Sequence, residues 1–312
     1  MDGTNQWLDP EAGGIAAAAA MLRAGGLVAI PTETVYGLAA RADSAGAVAA
    51  IYRTKGRPDF NPLIVHVSGL KQARALAHFD ERAEALAVRF WPGPLTLVLP
   101  ARADSGIAPA VTAGLATIAL RSPAHPVAAR LLAELGLPLA APSANRSLGV
   151  SPTCAEHVRA SLGAACPPVL DGGPCAAGLE STIIALREGA GWSLLRPGPV
   201  SRDELAEILG EPNQTHGALI EAPGQMVRHY SPGKPVRLEA EAARKGEFLV
   251  GFGPIGGDIS LSPSGDPAEA AARLYACLHV AAAASQPRIA VAPVPHDGMG
   301  AAINDRLRRA AS

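Results

Sequence analysis

The segment Leu137-Pro138-Leu139-Ala140-Ala141-Pro142-Ser143-Ala144-Asn145 joins a short apolar run to two polar side chains across a proline. An apolar run that stops at a proline is typical of a buried strand. Because ligands of open α/β sheets bind at the carboxyl ends of strands, we expect Ser143 and Asn145 to lie where a ligand binds. A turn with a simple cap is the alternative interpretation.

A second segment, Lys55-Gly56-Arg57, carries two cations separated by one glycine. Two such side chains in one loop could point at a single anion, because Arg offers paired donors and Lys a compact charge. Phosphate and a planar carboxylate both suit this pair. A solvated loop tip is the competing interpretation, and Asn61-Pro62 nearby favours a binding role because an amide both donates and accepts.

Composition sets the broad class of the protein. The chain has 312 residues, of which 48% are hydrophobic and only 4% aromatic, with a mean hydropathy of +0.17. This length predicts one large domain and a smaller one, with a core of Ala, Val, Leu and Ile. The net charge of −1 argues against a nucleic-acid binder that depends on a strongly basic surface.

The four cysteines, Cys154, Cys166, Cys175 and Cys277, show no metal-ligand spacing. We therefore expect free thiols and no bound metal. The alanine run at 16–20 follows no basic segment and is too short to cross a bilayer, so we expect a cytoplasmic protein without a membrane anchor.

Apolar runs predict strands at 27–30, 63–67, 95–99 and 117–120, and a further strand ending at Ala141. Helices are predicted at 10–25, 72–90 and 126–135, with an alanine-rich helix between Gly37 and Tyr52. This mixture indicates an α/β or α+β domain, with a twisted mixed sheet and helices, over residues 12–205.

The composition then changes to Pro, Gly, Asn, Gln and His, which predicts a linker at 206–235. Strands at 248–252 and 288–292 and helices at 267–284 and 300–311 follow it. They predict a small Rossmann-like α/β domain at 236–312, near the lower size for independent folding.

Two further residues have open interpretations. His66 lies in an apolar strand and could be a buried core histidine or a group that bonds a small polar substrate. Arg121 ends a strand and could form an ion pair or bind a carboxylate. No GxxxxGK[ST] or GxSxG motif occurs, which disfavours a P-loop NTPase and a serine hydrolase. The glycines at Gly251-Phe252-Gly253 are not followed directly by a predicted helix, which disfavours a dinucleotide-binding fold.

Taken in order, several short motifs of this chain resemble the YrdC/YciO-type domain. The resemblance covers residues 12 to about 200, and its motifs are Pro31-Thr32-Glu33-Thr34-Val35-Tyr36-Gly37-Leu38, Lys55-Gly56-Arg57, Asn61-Pro62-Leu63-Ile64-Val65-His66, Trp91-Pro92-Gly93-Pro94-Leu95-Thr96, Arg121-Ser122-Pro123, Ala141-Pro142-Ser143-Ala144-Asn145, Gly178-Leu179-Glu180-Ser181-Thr182 and Arg196-Pro197-Gly198.

Beyond this region, the chain resembles the long two-domain threonylcarbamoyl-AMP synthases. The motifs there are Ala222-Pro223-Gly224, Arg228-His229-Tyr230-Ser231-Pro232 and Ala302-Ile303-Asn304-Asp305-Arg306-Leu307. The C-terminal unit looks shorter than is usual in that family.

The resemblance implies an enzyme that joins L-threonine, bicarbonate or CO2, and ATP to give threonylcarbamoyl-AMP and pyrophosphate. This nucleotidyl transfer would serve N6-threonylcarbamoyladenosine formation at position 37 of tRNA, with Mg²⁺ accompanying ATP. By matched position, the resemblance implies three sets of site residues: Lys55, Arg57 and Asn145 for catalysis; Thr34, His66, Arg121, Ala141 and Ser181 for threonine; and Arg57, Asn61, Thr117, Ser143, Ser151, Arg196 and Tyr230 for ATP.

Because Tyr230 lies in the predicted linker, we also expect the linker to fold over the nucleotide as a lid. We expect a monomer that works with tRNA or with a downstream threonylcarbamoyl transferase complex.

Three alternative functions can be distinguished by features of the sequence. An RNA-binding (tRNA-binding) YrdC-like module without synthase activity would depend on salt-sensitive contacts, which the near-neutral net charge disfavours. A hydrogenase maturation factor would need paired CxxC motifs, which the sequence lacks. A short homologue would lack the linker and the second domain.

Overall fold

The structure is a computed structural model that describes residues 7–58, 60–187, 189, 191–212, 221–223 and 229–312. Within these residues the larger of two sheets has ten strands: β1 Trp7–Leu8, β2 Val28–Ile30, β3 Gly37–Arg41, β4 Ile64–His66, β5 Leu95–Pro100, β6 Thr117–Arg121, β7 Leu139–Ala140, β8 Val169–Leu170, β9 Thr182–Leu186 and β10 Trp192–Arg196.

The strand order is β1-β8-β2-β3-β7-β4-β6-β5-β9-β10, and parallel and antiparallel pairs alternate irregularly along it. β4 pairs parallel with β6 but antiparallel with β7, and β5 pairs antiparallel with β6 but parallel with β9. The predicted mixed sheet is thus confirmed.

Eight helices of the described chain accompany this sheet: α1 Ala12–Arg23, α2 Ala45–Lys55, α3 Leu70–Arg74, α4 Glu81–Phe90, α5 Pro109–Thr112, α6 Pro126–Leu135, α7 Ala155–Leu162 and α8 Arg202–Leu209. Their ends follow local rules. α6 has Pro at its first position, and α8 begins with a capping box between Ser201 and Glu204. α8 also makes the first residues of the predicted linker helical.

Two predicted helices have different bounds in the structure. The alanine-rich helix expected after Gly37 is preceded by strand β3, which pairs antiparallel with both β2 and β7, and α2 begins only after the Ser44 cap. Pairing in the middle of the sheet here overrides the helical preference of alanine. The helix expected at 72–90 is divided into α3 and α4, because the Asp80 side chain accepts from the Ala83 N–H (2.8 Å) and starts a new helix.

Alternation along the strands divides the side chains of the large sheet between two faces. One face packs on the main core, which includes Val65, Leu97, Leu120 and Ile184. The opposite face is covered by α1 and α6 at one end. At the other end it carries a small apolar floor formed by Ile64, Val98, Ala119, Ile183, Ala185 and Leu195.

The second sheet has four parallel strands in the described residues, in the order β11-β14-β12-β13: β11 Val236–Arg237, β12 Glu247–Gly251, β13 Ile259–Ser260 and β14 Arg288–Val291. Helices α9 Pro267–Ala283 and α10 Met299–Ala310 pack with it. A parallel sheet with helices matches the small α/β domain that the sequence predicts.

The core of this small domain includes residues from the first part of the chain. Val35, Val150 and Leu179 pack in the same apolar cluster as residues of α9 and α10. Shared apolar burial of this kind stabilises the contact between the two parts of the chain. No described helix is long and apolar enough to cross a membrane.

Candidate active site

A recess lies on the face of the large sheet next to the apolar floor. Eight of the residues that the resemblance implies line it: Thr34, Arg57, His66, Arg121, Ala141, Ser143, Ser181 and Arg196. The structure therefore brings residues from well-separated motifs into one cavity. We call this recess the cavity below.

The cavity extends across the sheet. The position of Ser143 after a strand predicts instead a site at one edge of the sheet. His66 and Arg121 are paired in register at the carboxyl ends of β4 and β6. β7 runs antiparallel to β4, and the Ala141 N–H donates to the Ile64 carbonyl at the start of β4 (3.0 Å). In a mixed sheet the ends of opposed strands lie side by side, so groups from both ends reach one site.

Arg121 is a buried residue of the cavity wall, and its guanidinium is held from several sides. Nη2 pairs with Glu33 Oε1 (2.7 Å), Nη1 donates to Thr34 Oγ1 (2.8 Å) and Nε donates to the Gly93 carbonyl (3.2 Å). These contacts fix a planar, charged fork in one orientation. Such a fork suits a carboxylate.

His66 adjoins Arg121 and is also buried. Burial and the nearby Arg121 charge lower its pKa to about 3, so the ring is neutral at neutral pH. Within the described residues, Nδ1 has no hydrogen-bond partner. A neutral ring with an open nitrogen can bond a small polar ligand.

Lys55 differs from the sequence-based prediction. It is the last residue of α2, and Gly56 turns the chain with a φ of 59°, so Lys55 and Arg57 do not form a fork from one loop. Lys55 Nζ donates to the Ser143 carbonyl (2.5 Å), the Asn145 carbonyl (2.6 Å) and Asn145 Oδ1 (3.4 Å). Its ammonium therefore holds the loop after β7 and does not line the cavity.

Asn145 is buried behind this loop and donates through Nδ2 to the Gly149 carbonyl (2.9 Å). Of the loop residues, Ser143 reaches the cavity and Asn145 does not. Lys55 and Asn145 thus hold the Ser143 loop in its shape, because their side chains bond each other and the backbone carbonyls of the loop.

Two further arginines, Arg57 and Arg196, line the cavity. Arg57 donates to the Asn61 carbonyl (3.3 Å) and the Pro62 carbonyl (3.1 Å), and burial lowers its pKa to about 10. Arg196 donates to the Ser181 carbonyl and to Ser181 Oγ, both at 3.1 Å. Burial also lowers the pKa of Arg196, as expected for cations kept out of water.

Described residues from inside the predicted linker lie at the cavity and its apolar floor. Ala222 packs on the apolar floor, and Pro223 and His229 line the cavity. Glu221 accepts two hydrogen bonds from Arg187 (2.6 and 2.8 Å), which ties the linker to β9 and its turn. Residues 213–220 and 224–228, including Arg228, lie outside the described residues.

Four predicted nucleotide residues lie near the cavity without lining it. Asn61 and Thr117 lie at the starts of β4 and β6. Ser151 and Tyr230 are fully buried, and Tyr230 has a φ of 63°, a left-handed conformation that a bulky residue rarely adopts. The Tyr230 ring stacks on Tyr275 of α9, with ring centroids 5.5 Å apart.

Sequence reasoning missed Glu180 as a site residue. It lines the cavity, and its carboxylate accepts from Ser151, from Tyr275 of α9 and from Arg306 of α10. Burial would raise its pKa, but the charges of Arg306 and Arg196 lower it to about 2. The signal available in the sequence was a single carboxylate in an otherwise uncharged stretch, directly before the apolar strand β9.

Two families match the sequence. The Sua5/YciO/YrdC family, described as telomere recombination, matches residues 20–198, and the family described as the C-terminal domain of threonylcarbamoyl-AMP synthase matches residues 200–312.

Among similar proteins, the threonylcarbamoyl-AMP synthase of Pyrococcus abyssi is 40% identical in an alignment of 321 positions, which covers 94% of this chain and 92% of that protein. The Bacillus subtilis protein of the same name is 43% identical over 248 residues, which are 78% of this chain and 70% of that one.

The crystal structure of P. abyssi Sua5 complexed with L-threonine matches with a TM-score of 0.88 and 36% identity, over 96% of this chain and 95% of that one. The structure of Escherichia coli YciO, 22% identical with a TM-score of 0.53 over 62% of this chain, shares the fold.

Proposed function

This chain belongs to the Sua5/YciO/YrdC family in its two-domain form, and from that premise we propose that it is a threonylcarbamoyl-AMP synthase, a nucleotidyltransferase that joins L-threonine, bicarbonate or CO2, and ATP. One observation carries the proposal. A single cavity is lined by a buried, oriented arginine with a neutral histidine beside it and by two further arginines.

The part of the cavity with Arg121 suits threonine. A guanidinium held by Thr34 and Glu33 would bind the α-carboxylate, with His66 beside it and the backbone of Ala141 along the wall. The P. abyssi structure that matches over most of the chain holds L-threonine, which supports threonine as the substrate here.

The part of the cavity with Arg57 and Arg196 suits the phosphates of ATP. Both groups are cations in a partly dehydrated site, where their attraction for an anion is stronger than in water. Ser143 would add a hydroxyl donor from the loop that Lys55 holds. We propose that Asn61, Thr117 and the Tyr230 region complete the nucleotide site around these arginines.

Mg²⁺ would enter bound to the phosphates of ATP. No group of three or more His, Cys, Asp or Glu side chains in the described residues could hold a metal ion. The carboxylate that lines the cavity, Glu180, already accepts from Ser151, Tyr275 and Arg306. Such a donor set does not fit a resident magnesium site.

The chemistry needs two anions held close together. The threonine amine would add to bicarbonate with loss of water, or to CO2, to give a carbamate; a carbamate oxygen would then attack the α-phosphorus and release pyrophosphate. The cavity's contribution is to neutralise both anions and align them, and positioning of this kind supplies most of the catalysis in phosphoryl-type transfers. The linker residues at the cavity would keep water from the product.

The product would serve threonylcarbamoylation of adenosine 37 in tRNA. We propose that a downstream transferase complex, or tRNA, receives it from this enzyme. The names of the P. abyssi and B. subtilis relatives support the first step of that sequence.

The test measures pyrophosphate release by the purified protein with ATP, Mg²⁺ and bicarbonate, with and without L-threonine, and with L-serine as the control amino acid. We expect release that requires threonine and bicarbonate, and threonylcarbamoyl-AMP in the mass spectrum. A folded protein that releases no pyrophosphate above background would contradict the proposal and favour an RNA-binding module, for which a gel shift with tRNA at moderate salt is the check.

A further inference from the structure

Glu180 is a cavity residue whose hydrogen-bond partners come largely from the other domain. Its Oε2 accepts from Tyr275 OH (2.7 Å) and from Arg306 Nε (3.0 Å), while Oε1 accepts from Ser151 Oγ (2.5 Å). Tyr275 belongs to α9 and Arg306 to α10 of the small domain. A carboxylate of the active site is therefore held by the C-terminal unit.

Both small-domain partners are fixed as firmly as Glu180. Arg306 has no exposed surface, and its other nitrogens bond the Pro197 carbonyl (2.9 Å) and Asp305 (2.7 Å). Tyr275 is also fully buried. Buried polar groups with every partner in place make a rigid network, so the orientation of Glu180 is set from the small domain.

The hydrogen-bond capacity of Glu180 is not used up by these contacts. An ionised carboxylate offers about four acceptor positions, and three are taken by Ser151, Tyr275 and Arg306. Because Glu180 lines the cavity, the remaining position is available to a ligand. A carboxylate accepts and cannot donate, so it disfavours phosphate and selects a group with an N–H or O–H.

The neighbours of Glu180 indicate which donor this is. Ser151, which donates to the Glu180 carboxylate, belongs to the residues that the resemblance implies for ATP. Arg196, also implied for ATP, donates to Ser181, the residue after Glu180. In ATP the donors nearest to the phosphate chain are the ribose hydroxyls, whereas the adenine amino group lies farther away. The threonine part of the cavity is marked by Arg121 and His66.

We propose that Glu180 binds the nucleotide by accepting a hydrogen bond from a ribose hydroxyl, and that Tyr275 and Arg306 of the small domain are its positioning residues. This inference rests on the proposed function. It gives the small domain a direct part in substrate binding, because it connects α9 and α10 to a side chain of the cavity.

The first experiment measures Kd by calorimetry for ATP, 2′-deoxy-ATP and 3′-deoxy-ATP with the full chain and with Glu180→Gln. A hydrogen bond to a charged group is strong enough that the unaltered protein should bind one deoxy analogue about tenfold more weakly than ATP. In Glu180→Gln that discrimination should fall to about threefold or less.

The second experiment tests the positioning residues with Tyr275→Phe and Arg306→Lys. Tyr275→Phe removes one oxygen and keeps the ring beside Tyr230. We expect the KM for ATP to rise about three- to tenfold, with kcat and the KM for threonine changed less than twofold. Arg237→Ala is the matched control, because it breaks an ion pair with Glu247 (2.6 Å) within the small domain and should leave the KM for ATP unchanged.

The outcomes separate the two proposals. If the unaltered protein binds no ATP, the proposed function itself fails. If it binds ATP, and Glu180→Gln leaves the ratio of the Kd of each deoxy analogue to the Kd of ATP unchanged, Glu180 is not a ribose ligand. If folded Tyr275→Phe leaves the KM for ATP unchanged, as Arg237→Ala should, the small domain does not position Glu180. Tyr275→Phe changes a single oxygen, so it decides the point even if Arg306→Lys does not fold.

Discussion

Gly178 lies against the backbone of Ala272 in α9, so closely that a Cβ on Gly178 would be 2.3 Å from the Ala272 carbonyl oxygen. Gly178 also has a φ of 65°, in the left-handed region that glycine favours. The missing side chain thus lets the small domain approach the turn that precedes Glu180.

We therefore expect Gly178→Ala to lower the free energy of unfolding through both effects, backbone strain and a clash with α9. Overpacking alone costs about 1–3 kcal/mol. The control is Gly173→Ala, because Gly173 has a similar φ of 78° but no atom within 4 Å of its added Cβ. Urea unfolding should show a larger loss for Gly178→Ala, and equal losses would mean that the contact with Ala272 adapts freely.

Lys55 gives a second prediction. Lys55→Met keeps the length of the side chain but leaves the carbonyls of Ser143 and Asn145 without the donor they have here. An unsatisfied buried polar group costs about 1–3 kcal/mol, so we expect a clear loss of stability in urea unfolding and a loss of pyrophosphate release.

The matched control for Lys55→Met is Lys71→Met, because Lys71 is an exposed lysine of α3. It should change the free energy of unfolding by no more than about 0.5 kcal/mol and leave turnover intact. Unchanged stability and turnover in Lys55→Met would show that the loop after β7 keeps its shape without the ammonium.

Arg121 gives a third prediction, on substrate affinity. Arg121→Ala should weaken threonine binding by at least tenfold, since a hydrogen bond to a charged group contributes about 1.5–3 kcal/mol. Calorimetry with threonine and, separately, with ATP measures this, and the Kd for ATP should change less than twofold.

Because Arg121→Ala also removes the ion-pair partner of Glu33, Glu33→Gln is needed beside it. This variant keeps the arginine and should retain threonine binding better than Arg121→Ala. Equal threonine affinity in the unaltered protein and Arg121→Ala would remove Arg121 from the threonine site.

The motif order predicted much of the cavity, because short polar motifs after apolar runs mark where strands end. Side-chain direction was harder to predict: nothing in Lys55-Gly56-Arg57 shows that α2 ends at Lys55 and turns its ammonium toward the Ser143 loop. Strand β3 was missed because its alanines favour a helix, and pairing with β2 and β7 outweighs that preference.

The partners of Glu180 were beyond sequence reasoning for a different cause. Tyr275 and Arg306 are 95 and 126 residues away along the chain, and only the packing of α9 and α10 brings them to the carboxylate. Local patterns of helices and strands contain no information on such a pairing. It becomes visible once the two domains are placed against each other.

A last prediction concerns acid, through the stacked rings of His157 in α7 and His279 in α9, whose centroids are 3.9 Å apart at the contact between the domains. Burial and the neighbouring His279 lower the pKa of His157 to about 4, and burial lowers the pKa of His279. A histidine of the unfolded chain has a pKa near 6.5. The unfolded state therefore binds more protons between about pH 6.5 and 4, and the free energy of unfolding should be highest above pH 6.5 and fall as the pH drops through that window.

Urea unfolding at pH 7.5 and pH 5 measures the fall, which should be smaller in His157→Gln and unchanged in His296→Gln, whose histidine is exposed. An identical fall in all three proteins would show that acid destabilises the fold through groups other than His157.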